Sequence, residues 1–148
     1  MSDSEREKRL TGAWGLVSYV AEPVDGGDTW YPMGAHPQGL IVYTDSGHMS
    51  VNFQSAGRKP YAGADPHGGT EAERAEAAAG FVGYSGTYGV TDEGIVEHDV
   101  TVSLLPNWIG TVLARRVDLR DDLLRLALVE PLVKDGVTYN AVLTWQRV

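Results

Sequence analysis

Gly12-Ala13-Trp14, close to one end of the chain, and Trp145-Gln146-Arg147, at the other, decide how the fold is read. A Trp at the start of a first strand and an Arg late in a last strand can stack where a closed antiparallel sheet seals its floor, a cation–π contact worth roughly 0.5–2 kcal/mol. What lies between gives the pairing its weight. Runs rich in Val, Ile, Thr and Tyr recur at 12–21, 39–44, 49–54, 81–90, 95–105, 109–119, 123–129 and 137–148, eight strand-like segments divided by turn residues. The separators Asp45-Ser-Gly47, Asp92-Glu-Gly94, Arg120-Asp-Asp122 and Asp135-Gly136 are short, which makes sequential strands antiparallel neighbours in a meander. The pattern predicts an all-β fold, an eight-stranded antiparallel up-and-down barrel just wide enough for side chains or one small ligand.

At 148 residues the chain fits one domain, 1–148, able to bury about two thirds of its unfolded surface. The one long interruption, 55–80, begins as a Gly/Pro-rich loop. It continues as Thr70-Glu-Ala-Glu-Arg-Ala-Glu-Ala-Ala-Ala, where Thr70 and Glu73 form a capping box and Gly80 stands ready to stop a helix. This short helix, inserted after the third strand, suits a lid over a barrel mouth or, equally, a plug shielding a barrel end or sheet edge. Residues 4–10 suit a short helical turn too poor in apolar residues for a core helix.

Several function classes recede on composition. The chain has no cysteine, which removes disulfides, thiolate metal sites and a Cys nucleophile. A formal charge of −8, with basic residues clustering no further than doublets such as Arg58-Lys59 and Arg115-Arg116, argues against nucleic acid as a partner. The charged segment 1–9 lacks the apolar core of a secretory signal, and no run approaches the roughly 20 apolar residues of a membrane span. The expectation is a cytoplasmic protein with no membrane partner. His36, His48, His67 and His98 show no i, i+4 helical pair and no His-x-His strand pair, so no metal site and no cofactor are expected. Ser85 lacks the strand-turn-helix elbow of a hydrolase, and no strand leads into Gly68-Gly69 as a phosphate loop requires.

A family resemblance runs through nearly the whole chain. It is carried by Gly12-Ala-Trp-Gly-Leu-Val-Ser18, Pro37-Gln-Gly-Leu-Ile-Val-Tyr-Thr44, Gly47-His-Met-Ser50, Gly83-Tyr-Ser-Gly-Thr-Tyr88, His98, Ser103-Leu-Leu-Pro-Asn-Trp-Ile-Gly110 and Leu143-Thr-Trp-Gln-Arg-Val148. In these segments the chain resembles the bacterial and fungal lipocalin-like domain family. The resemblance implies a small up-and-down barrel with an internal cavity and, through members in specialised metabolism, a small-molecule ligand. A shared fold does not fix a function.

The residues supply mechanistic candidates. Alternation along 96–104 puts His98 on one face with Val96, Val100, Val102 and Leu104, facing the barrel interior. A histidine there could move a proton near neutral pH, or could be a core residue hydrogen-bonded to a Tyr or a carbonyl. A four-residue loop, Leu105-Pro-Asn-Trp108, sets His98 opposite Arg115, and a five-residue loop sets it opposite Arg116. An inward Arg115 suits a ligand carboxylate, phenolate or enolate, or an internal ion pair with Glu130. Tyr43, Tyr84, Tyr88 and Tyr139 are candidates for the wall of a cavity around a flat, partly polar molecule. His48 and Asn52 alternate with Met49, Val51 and Phe53 and face solvent if the apolar set fills the core. Trp108 and Trp30, placed in loops, fit ligand gating or a homodimer contact. Trp14 and Arg147 are structural.

Three readings share this barrel. The first is a binder of an apolar or aromatic small molecule. The second is a cofactor-free isomerase or cyclase, with His98 as acid/base and Arg115 or a Tyr steadying an oxyanion. The third is a structural barrel or dimerisation module with a filled interior.

Overall fold

A computed structural model describes residues 2–148. Its strands are β1 (Gly12–Pro23), β2 (Gln38–Tyr43), β3 (His48–Gln54), β4 (Phe81–Val90), β5 (Ile95–Ser103), β6 (Val112–Arg120), β7 (Leu123–Leu128), β8 (Leu132–Lys134) and β9 (Val137–Arg147). Each of β1 to β6 pairs antiparallel with the next, β7 pairs with β9, and β9 returns to β1, so eight strands close the ring as the meander predicts. The ninth, β8, pairs only with the start of β9, at Val137 to Tyr139, and extends the edge that β7 occupies. Three residues are too few to show alternation. Its turn, Asp135-Gly136, has both residues at positive φ (51° and 78°), as a two-residue hairpin needs.

The seam is built as the chain ends suggest. Trp14 is fully buried and opposes Arg147 across the β1–β9 pair, with the guanidinium 4.0 Å from the ring centroid. Arg147 donates from Nη1 to the Thr11 carbonyl (2.9 Å) and from Nη2 to the Arg9 carbonyl (3.0 Å). The Trp14 indole N–H donates to the Leu10 carbonyl at 2.9 Å. These bonds fasten the end of α1 (Asp3–Leu10), which starts at a complete Ser2 capping box. The segment expected to be a mere helical turn is thus a full helix, and its last residue, Leu10, is inserted into the core at one end of the barrel.

Alternation along β5 holds for Val96, His98 and Val100, all buried, and fails beyond them: Val102 is 65% exposed and Leu104 49%. The cause is a bulge. Gly86 pairs with Val100 and Ser85 with Val102, which leaves Thr101 unopposed and turns every later side chain to the other face. Gly86 makes this possible, because a Cβ there would lie 1.8 Å from the Asp99 carbonyl oxygen.

The β5–β6 register also differs from both expected alternatives. His98 pairs with Leu113, while Val96 pairs with Arg115 and Ile95 with Arg116. The two strands part after Val100, whose N–H bonds the Thr111 carbonyl at 3.0 Å, and the connection holds a 3-10 turn, η1 (Pro106–Trp108). Arg115 lies two positions from the place a four-residue loop would give it. A shift of two preserves the face, so Arg115 stays on the inner side with Val96, and Arg116 is exposed.

The inserted helix α2 (Glu71–Ala79) forms with the expected Thr70–Glu73 capping box and ends at Gly80. His48 and Asn52 are exposed while Met49, Val51 and Phe53 are buried. No helix among the described residues is long and apolar enough to cross a membrane.

Two measurements check this account. Arg147→Ala is expected to lower the unfolding free energy in urea by about 2–3 kcal/mol, and Arg147→Lys by roughly half as much, since lysine keeps the charge and loses the fork. Equal losses in both variants would show that the planar contact is unimportant. Gly86→Ala is expected to cost about 3 kcal/mol or more through the clash with the β5 backbone. An unchanged melting temperature would contradict the bulge.

Candidate functional site

Inside the ring the core is aromatic and aliphatic, and His98 is the one buried residue of polar type among the described residues. Both its ring nitrogens are engaged: Nε2 lies 2.7 Å from the Tyr43 hydroxyl and Nδ1 2.7 Å from the Tyr84 hydroxyl. A neutral imidazole has one N–H and one acceptor nitrogen, so one tyrosine donates to the ring and the other accepts from it. Burial, reinforced by the positive charge of Arg115, pushes the His98 pKa down to about 3. The ring is neutral at physiological pH and a weak base. Burial likewise raises the Tyr43 phenol well above its usual range, and raises that of Tyr84, where the Arg115 guanidinium pulls the other way.

Beside this triad lies a cavity of about 70 Å³, whose wall includes Tyr19, Phe53, Tyr84, His98, Arg115 and Trp145. Arg115 is half-buried and donates to the carbonyl of its own neighbour Ala114 at 3.1 Å. The ion pairs among the described residues are Arg6 with Asp3 and Asp92, Arg120 with Asp118, and Arg147 with Asp122, so Arg115 has no carboxylate partner. Glu130, weighed as that partner, is exposed on the β7–β8 connection. The cation therefore faces the chamber without a counter-charge, beside the Tyr84 phenol.

Trp108 forms part of the chamber wall from η1, its ring edge-on to Tyr84 with centroids 5.7 Å apart. Its outer side meets a second hollow of about 450 Å³, lined by Met33, Ala78 and Ala79 of α2, Phe81, Leu104 and Leu105 among others. Trp108 and Val82 belong to both spaces. The mouth of the barrel is thus bordered by the end of α2 and by the β5–β6 connection. A third hollow, about 430 Å³, lies between residues 55–61 and α2 and contains Arg58, Lys59, Glu73 and Glu76. It shares no residue with the chamber. Two of its charged groups are occupied in building the insertion, Arg58 on the Ala77 and Gly80 carbonyls and Glu73 on the Thr70 and Ala62 amides.

Of the residues singled out in the sequence, the fold brings together His98, Arg115, Tyr84 and Trp108 around one space, with Tyr43 behind His98. Tyr88 is placed elsewhere, its hydroxyl donating to the Thr44 carbonyl at 2.8 Å and its ring against Tyr43. Tyr139 packs on Trp30 (5.1 Å), which Lys134 covers from above at 4.4 Å. Tyr19 and Trp145 are wall residues that alternation alone did not single out, while Phe53 joins them from the apolar face of β3. Tyr19 reaches the interior through a second bulge between Leu16 and Ser18, and Trp145 read as a seam residue. The Trp145 indole nitrogen and the Ser103 hydroxyl are buried without a hydrogen-bond partner among the described residues.

Residues 11–148 match the family described as the lipocalin-like domain. The 4'-hydroxy-3'-methoxypropiophenone carrier protein of Aspergillus oryzae is 35% identical over 106 residues, which span 67% of this chain and 96% of the relative.

The His98 environment has a pH signature. An unfolded histidine binds its proton below about pH 6.5, whereas the folded ring resists protonation down to about 3. In that window the unfolded state holds more protons, so stability is complete above it and is lost as pH falls. Relative to a His98→Gln variant, the native protein is expected to lose up to about 1.4 kcal/mol per pH unit between pH 6 and 4 in chemical unfolding. Parallel pH profiles would mean that the ring is not held neutral.

Proposed function

We propose that this chain, which belongs to the lipocalin-like domain family, is a carrier for a small aromatic molecule of specialised metabolism, bound with an acceptor oxygen against Arg115. The observation that carries the reading is an Arg without a carboxylate partner in a largely apolar chamber inside a closed barrel. Such a charge is costly to shield from water unless a partner arrives to meet it. The A. oryzae relative, named as the carrier of an aromatic ketone, supports an aromatic cargo. Small-molecule sites usually measure about 300–1,000 Å³. The inner chamber is far below that, and the hollow beyond Trp108 supplies the remaining room. Binding then places the polar head inside and the ring at the mouth, with Trp108 yielding between them.

Acid/base catalysis by His98 is the weaker reading. A general base works best with a pKa near the operating pH, and this ring is held near 3 with both nitrogens engaged. The triad is better suited to orienting the Tyr84 phenol.

A thermal-shift series of aromatic ketones, phenols and carboxylates tests the carrier. At a hundredfold excess over Kd, ligand binding contributes about 2.7 kcal/mol, roughly a 5–10 °C rise for a domain of this size. Arg115→Met is expected to keep or raise the melting temperature of the free protein and to weaken binding about tenfold or more. If no compound in the series stabilises the protein, the barrel is structural and the carrier reading is lost.

A further inference from the structure

Resting on the carrier reading, we infer that the Trp145 indole N–H is a ligand-binding donor that, with Arg115, selects an acceptor oxygen conjugated to an aromatic ring. Trp145 is 1% exposed, lies on β9 between Leu16 and Leu124, and contributes to the chamber wall. Its Nε1–H is one of two buried side-chain polar groups with no partner among the described residues. The other, Ser103, is not part of that wall. An indole N–H can only donate, and buried donors in folded proteins are nearly always met. An orphan on a side chain that borders a cavity therefore points to an acceptor that enters the cavity.

The remaining polar groups call for the same partner. Tyr43, neutral His98 and Tyr84 carry three polar hydrogens, and the two hydrogen bonds joining them use two. The third resides on one of the tyrosines, and Tyr84 is the one that borders the chamber. Arg115 is a donor without an acceptor function. The chamber wall includes no carboxylate and no side-chain amide. Its surplus is one of donors, which fits a carbonyl or phenolate oxygen and rejects an ammonium. At about 70 Å³ the chamber holds the space of roughly two water molecules, room for a carbonyl and a short alkyl group rather than a ring. An aryl ketone divides as the two spaces do: the carbonyl and its alkyl group lie inside, and the ring lies in the apolar hollow beyond Trp108.

The test compares propiophenone with n-propylbenzene, which differ in the carbonyl oxygen and little in shape, by titration calorimetry on the native protein and on Trp145→Phe. Phenylalanine keeps an aromatic ring in the core and removes the N–H. The native protein is expected to bind the ketone at least tenfold more tightly than the hydrocarbon, and Trp145→Phe to lower that ketone-over-hydrocarbon preference about tenfold. A second readout needs no variant: in 15N-labelled native protein the Trp145 indole proton should shift downfield with propiophenone and not with n-propylbenzene. Trp145→Phe that keeps the full preference, or an unmoved indole resonance, overturns the assignment and leaves the carrier reading standing. Equal affinity of the native protein for both compounds also overturns it. Failure of the native protein to bind either compound removes both.

Discussion

Closure of the ring at β1 and β9 is the constraint on which the rest of the molecule depends. A barrel interior exists only if the first and last strands meet, and here they meet over nine paired positions from Trp14–Arg147 to Pro23–Tyr139. Arg147 does more than stack. Its fork takes the carbonyls of Arg9 and Thr11, groups left over where α1 ends and β1 begins. One side chain thereby joins the last strand, the first strand and the helix that fills the barrel end. Asp122, at the β6–β7 turn, adds an ion pair to the Arg147 Nε at 3.3 Å. With that end sealed by Leu10 and Trp14, access to the interior is left to the opposite end, where α2 and η1 lie.

The β5 bulge then sets how that open end is furnished. Without an extra residue at Thr101, Val102 and Leu104 would continue inward and pack the space beside Tyr84. With it, the inner face ends at Val100, Ser103 replaces an apolar neighbour, and the chain from Thr101 to Gly110 is free to leave β6 and fold back as η1. Trp108 arrives over the chamber as a result. Of the apolar side chains turned outward, Leu104 and Leu105 border the mouth hollow. A single inserted residue, permitted by the missing Cβ of Gly86, thus shifts apolar surface from the core to the rim.

The features legible in the sequence are those governed by local chemistry. The turns at Asp45 to Gly47, Asp92 to Gly94 and Asp135-Gly136 announce themselves through residues that tolerate positive φ. The capping box at Thr70 is four residues long and complete in itself. The inward direction of His98 and Arg115 follows from a period of two and survives the register error, since a slip of two residues leaves the face unchanged. What stayed hidden depends on two strands at once. A bulge leaves no compositional mark on its own strand, and the approach that makes one at Thr101 is visible only once Gly86 is set against Asp99. β8 is too short to alternate, and the unmet Trp145 N–H is defined by partners absent in three dimensions.

The same accounting explains why a histidine caught between two tyrosines is compatible with a binding barrel. A buried network stabilises a unique interior only when its members are satisfied, and here the Tyr43–His98–Tyr84 chain satisfies both ring nitrogens while keeping the imidazole uncharged. A protonated His98 would stand beside Arg115 as a second cation in an apolar space. The low pKa therefore keeps Arg115 as the chamber's single fixed charge. His98 fixes Tyr84, and Tyr84, edge-on to Trp108, links the network to the ring at the mouth. The buried polar chain and the Trp108 ring at the mouth are thus joined through one side chain, Tyr84, hydrogen-bonded to His98 at its hydroxyl and packed against Trp108.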